Sequence, residues 1–144
     1  MIVVILLSLG LLFLVQFSDL RTNKGDTFTQ EQIAANTLNA FVLTTTLCQG
    51  LDVTELVQDC AGFRAVNCSG ISSCTFLDGL SDNLLSQTLK IWGKRYNLTA
   101  VVGTTPLFDS VFGGCPAARD VSIYPIPQRT GGPNIVLRLE VCGG

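Results

Sequence analysis

The chain has 144 residues, a formal net charge of −2 and 14% charged side chains, so it lacks the basic field that attracts nucleic acid or an anionic membrane surface. It contains no histidine, which removes the commonest general base and nucleophile activator; with no G-x-S-x-G elbow, phosphate-binding glycine loop or dinucleotide fingerprint, neither an enzyme nor a cofactor is expected. Its length allows one small globular core beyond an apolar N-terminal run.

That run covers residues 1–17, is interrupted only by Ser8, Gly10 and Gln16, and ends before the first charge, Asp19. As a helix it would rise about 1.5 Å per residue and extend roughly 25 Å, just enough for a bilayer. Residues 1–18 are therefore expected to form an apolar membrane or filament-core helix. Its packing residues would be Ile2, Val3, Val4, Ile5, Leu6, Leu7, Leu9, Gly10, Leu11, Leu12, Phe13, Leu14, Val15 and Phe17. The basic n-region and small-residue cleavage site of a secretory signal are not found. Arg21 and Lys24, the nearest positive charges, would keep the body of the protein in the cytoplasm. The cysteines argue otherwise, and a short basic leader before Met1, removed on maturation, would reconcile the two. Residues 19–28 read as a polar hinge centred on Asn23, Lys24, Gly25 and Asp26.

The remaining residues, 29–144, read as an extracellular head of class α+β, with helices over 29–95 and antiparallel strands over 96–144. Thr29 and Gln32 resemble a capping box, and Ile33, Thr37, Leu38, Phe41, Val42 and Thr45 follow at helical spacing. That helix is expected to reach about Cys48. Asp52 with Glu55 opens a short helix to about Cys60. Residues 61–79, rich in Gly and Ser, read as a loop. Ser81 and Asp82 then open a third helix with Leu85, Leu89 and Trp92 on one face and Lys90, Lys94 and Arg95 at its end. Beyond it the period changes to two. Residues 96–102, 121–126 and 135–142 read as strands, the last with Ile135, Leu137, Leu139 and Val141 on one face. Gly113, Gly114, Pro125, Pro127, Gly131, Gly132 and Pro133 mark turns and edges, and a small antiparallel sheet is the economical arrangement.

Six cysteines, Cys48, Cys60, Cys68, Cys74, Cys115 and Cys142, all lie beyond the apolar run. An even number points to disulfides in an oxidising, extracellular setting. With no C-x-x-C pair and no histidine, a structural zinc site is not expected. Six cysteines allow 15 pairings; the nearest-neighbour set is 48 with 60, 68 with 74, and 115 with 142. Cys142 shares a strand face with Arg138 and Glu140, opposite the apolar face, so its partner should come from a loop on that outer side. Asn67-Cys68-Ser69 and Asn97-Leu98-Thr99 fit the N-glycosylation pattern. Asp78 with Asp82 matches no calcium loop and is better read as helix capping, while Asp109 and Asp120 are scattered solvated carboxylates. Tyr96, Tyr124 and Trp92 are read as core aromatics rather than a sugar platform.

Taken together, an uncharged apolar N-terminus, a polar break, an amphipathic helix ending in Thr44-Thr45-Thr46 and a disulfide-bonded head closing on antiparallel strands resemble a mature archaeal type IV pilin-like protein. Residues 39–46, Asp59-Cys60-Ala61 and residues 137–142 carry the likeness. Bacterial type IV pilins place Glu at the fifth mature position; Ile5 stands here, which favours the archaeal branch. The resemblance implies a type IV pilin-like fold and a structural subunit that polymerises with copies of itself into a helical filament for surface adhesion. It also implies membrane insertion before assembly and a pilus assembly machinery as partner. The alternative is a single-span anchored extracellular binding module that does not polymerise.

Overall fold

A computed structural model describes residues 25–115 and 119–142. The expected apolar helix over residues 1–18, with every side chain assigned to a filament core, lies outside the described residues, as do Asn23 and Lys24 of the hinge. The described chain runs α1 (Gly25–Val42), α2 (Val53–Ala61), β1 (Asn67–Cys68), β2 (Ile71–Ser72), α3 (Ser73–Leu85), a π-helical turn (Ser86–Lys90), β3 (Arg95–Val102), β4 (Thr105–Phe112), β5 (Arg119–Ile126) and β6 (Ile135–Cys142). This corrects the expected architecture. Among the described residues no helix is long and apolar enough to cross a membrane, and the fold is an α+β domain of three α-helices and two antiparallel sheets. A pilin-like fold led by a long apolar helix is not what they form.

Gly25 and Asp26 belong to α1 rather than to a hinge, so the Thr29–Gln32 pair is internal to the helix. An acidic residue in a first turn favours a helix start there. α1 also ends earlier than its apolar spacing suggests. Thr44 donates its hydroxyl to the Ala40 carbonyl (2.7 Å), and Thr45 forms an isolated antiparallel bridge with Asp52. The chain thus doubles back through Gln49 (φ 54°) and Gly50 (φ 73°), the left-handed pair that a tight reversal needs. α2 then starts as expected: Asp52 accepts from the Glu55 amide (2.7 Å) and Glu55 returns the contact to the Asp52 amide (3.2 Å), closing a capping box.

Residues 61–79 are more ordered than a loop. Asn67 pairs with Ser72 and Cys68 with Ile71, and the intervening Ser69 and Gly70 have φ of 55° and 96°, the signature of a two-residue type I′ hairpin. Ser72 caps α3 by accepting from the Thr75 amide (3.3 Å), so Ser81 and Asp82 lie inside this helix and do not open one. The π-helical turn carries the helix on to Gly93 (φ 67°), where the Gly93 amide donates to Lys90 O (2.9 Å) and the Lys94 amide to Leu89 O (2.9 Å). That pair of bonds is a Schellman ending.

The large sheet has the order β4-β3-β6-β5, all antiparallel. β6 keeps its expected bounds, with Ile135, Leu137, Leu139 and Val141 buried, and it joins Leu98 and Ala100 of β3 beneath the helices. α1 lies on β5 and β6, α3 lies on β4, and α2 packs against α3. β4 was not expected as a strand. It carries Pro106, and it is an edge strand, where a residue without an N–H is tolerated.

Two of the three nearest-neighbour disulfides are overturned. Cys48 bonds Cys68 and Cys60 bonds Cys74, each with Cα atoms 4.9 Å apart. The reason is helical rise: Cys48 lies near the start of α2 and Cys60 near its end, roughly 10 Å further along at about 1.5 Å per residue, beyond disulfide reach. Cys115–Cys142 is as expected, with Cα atoms 5.6 Å apart. Three disulfides mark an extracellular or secreted protein.

Candidate functional site

The polar chemistry of the described surface is dispersed, and its apolar chemistry is not. Ile91 and Trp92, at the end of the π-helical turn, are 72% and 62% exposed, and Leu43, just past α1, is 73% exposed. Between these elements lies a cleft of about 320 Å³ lined by Asn36, Thr37, Ala40, Phe41, Thr44, Leu84, Leu85, Thr88 and Trp92. Local hydrogen bonding makes it apolar. Thr44 donates to Ala40 O, and Thr88 donates to Leu84 O (2.8 Å), so both hydroxyl protons are spent on backbone. Trp92, expected on the buried face with Leu85 and Leu89, instead stands exposed at the cleft rim beyond the π-helical turn, while Leu85 and Leu89 are buried. The arrangement can receive an aliphatic or aromatic group.

A second apolar groove, of about 340 Å³, is lined by Leu47, Ile71, Thr75, Phe76, Gly79, Leu80 and Asn83. Leu47 at its edge is fully exposed. The adjoining polar cleft, about 630 Å³, includes Asp82, Asn83, Ser86, Lys90, Tyr96 and Phe112. Its charges are already engaged: Ser110 donates its hydroxyl to Asp82, and the Lys90 ammonium lies 4.9 Å from the centroid of the Phe112 ring.

The residues singled out by sequence are mostly kept apart. Tyr96 is buried on β3, Tyr124 is half-buried on β5 with β6 between them, and Trp92 lies at a helix end, so the three form no platform. Among the described residues no group of three or more His, Cys, Asp or Glu side chains is placed to hold a metal ion. Asn67 is exposed on the β1–β2 hairpin, and Asn97 is half-buried on β3. The described members of the six cysteines all lie in disulfides.

Two polar centres escaped the sequence reading. Asp59, on α2, accepts from the Ala65 amide (2.9 Å), the Val66 amide (3.1 Å) and the Ser73 hydroxyl (2.6 Å), and so ties α2 to the start of α3. No local motif announces it, since its partners arrive only when the hairpin folds back. On the outer sheet face the Glu140 carboxylate is buried, with Arg138 Nη2 at 2.8 Å and Arg119 Nη1 at 3.4 Å. Alternation along β6 placed Arg138 and Glu140 on that face but gave no hint of Arg119, which β5 supplies across the ladder. No family model, curated protein or solved structure matches this chain.

Proposed function

We propose that this chain is the structural subunit of an extracellular type IV pilus-like filament, serving surface adhesion and polymerising with its own copies through the apolar segment 2–17. The observation that carries the reading is the joining, in one chain, of that apolar run to a disulfide-locked domain. About 14 apolar side chains lie in the run, and burying each from water contributes roughly 1.5–3 kcal/mol, so a released subunit does not stay monomeric. In the membrane the segment is already in an apolar setting, and moving it from lipid into a filament core exchanges one such setting for another. Assembly therefore draws on close packing between copies and on an assembly machinery, not on hydrophobicity alone.

The second reading is the membrane-anchored binding module, favoured by the apolar cleft beside Trp92. Electron microscopy of material sheared from cells, with mass spectrometry for this chain, separates the two. Thin filaments containing it are expected. Discrete particles retained in the membrane fraction sink the filament reading.

A further inference from the structure

The two glycosylation sequons occupy opposite kinds of place. Asn67 is exposed at the end of a two-residue hairpin. Its Oδ1 accepts from the Gly70 amide (2.6 Å), which fixes the carboxamide through its oxygen. Ser69, the hydroxyl residue of this sequon, is exposed in the left-handed turn with φ 55°. Asn97 sits on β3, hydrogen-bonded on both sides: it pairs with Val111 of β4 and Glu140 of β6. Its Oδ1 is buried without a hydrogen-bond partner among the described residues. A sugar on that carboxamide has to emerge between two paired strands and part side chains over the Glu140 cluster.

The register also sets which way the Asn67 carboxamide faces. Asn67 pairs with Ser72, both exposed, and Cys68 pairs with Ile71, so alternation puts the Asn67 side chain on the hairpin face opposite buried Cys68. Gln49 holds the main chain there by donating its side-chain amide to the Asn67 carbonyl (3.0 Å).

We propose that Asn67 carries an N-linked glycan and that Asn97 is not modified. The transfer forms a bond from Asn67 Nδ2 to the anomeric carbon of the sugar as the bond from that carbon to the phosphate oxygen of a polyprenyl-linked donor breaks. The amide proton is lost to a base on the transferase, and the lipid phosphate leaves. The inference needs passage through a secretory compartment and is independent of the filament reading.

The test is the full chain expressed through the secretory pathway of insect cells and analysed as peptides by mass spectrometry. Glycan on the peptide containing Asn67, and none on that containing Asn97, is expected. A bare Asn67, or an occupied Asn97, overturns the assignment. Ser69→Gly then removes the sequon while keeping Asn67, its bond to Gly70 and a backbone at ease with positive φ. The Asn67 peptide of this variant should carry no glycan; glycan remaining on it overturns the assignment to this sequon.

Discussion

The helical half, residues 25–94, and the sheet half, residues 95–142, are held together by different means. In the sheet half, eight-residue strands pair in continuous register along both sides of β6, and an apolar face repeats every second residue from Ile135 to Val141. One disulfide closes its end. In the helical half, α2 has nine residues and the hairpin strands two each, too few to bury much surface on their own. Two disulfides and the Asp59 carboxylate supply the links that repetition supplies in the sheet. A long element is specified by its own pattern, whereas a short one is specified by what crosses to it from elsewhere.

The strongest way to break this contrast is at the centre of the sheet. Leu137 is fully buried and lies between Ala100 and Tyr124 in register, so Leu137→Ala should cost about 3 kcal/mol, within the 2–5 range of large-to-small core changes. Denaturant unfolding reads it. A loss under about 1 kcal/mol would mean that the sheet is not the main source of stability.

The next lever is the Cys60–Cys74 bond, which spans a sequence separation of 14. Replacing both cysteines by Ala should cost roughly 2–3 kcal/mol on loop-closure grounds. Hydrogen exchange sharpens the comparison: amides of α2 and α3 should lose protection while those of β3 and β6 keep it. Uniform loss over both halves would show a single cooperative unit and defeat the distinction. Asp59→Ala should cost about 2 kcal/mol, because three donors lose one charged acceptor and the buried Ser73 hydroxyl is stranded. Asp59 neighbours Cys60 and Ser73 neighbours Cys74, so the Asp59 and cysteine replacements should be non-additive when combined.

What was legible in the sequence follows the same division. The β6 strand was readable to the residue because alternation over eight positions leaves one register that buries the apolar set. Cys142 fell on the outer face by the same logic, which led to Cys115. The helical half hid its connections. Cys48 meets Cys68 only because residues 43–52 double back and a two-residue turn returns the hairpin, and neither event has a period to detect. Ser69-Gly70 was visible as punctuation but not as the I′ turn that aligns Cys68. Gly79 read as a loop residue, although it sits inside α3. The apolar cleft was invisible for a related reason: Trp92 belongs to the apolar face by regular α-helical spacing, and the π-helical turn before it shifts that phase. β4 shows only a partial alternation, with Phe108 and Ser110 its buried residues, and so it had a weaker period to detect than β6.

Asp52 offers the finest comparison, because it lies in the helical half yet was legible. Its carboxylate and that of Glu55 exchange bonds with backbone three residues apart, and nothing distant is needed to complete the box. Asp52→Ala removes one cap from a nine-residue helix, at a cost of about 1 kcal/mol. That is smaller than the loss expected for Asp59, although Asp52 is the carboxylate that sequence announces. The Asp52 side chain serves one amide of its own helix, whereas Asp59 serves two amides and the buried Ser73 hydroxyl at a junction between elements. Measured side by side by urea unfolding, the two alanine variants should therefore rank Asp59 above Asp52. The reverse order would mean that α2 is limited by its own helix start rather than by its attachment to α3, and the helical half would then be governed by local pattern after all.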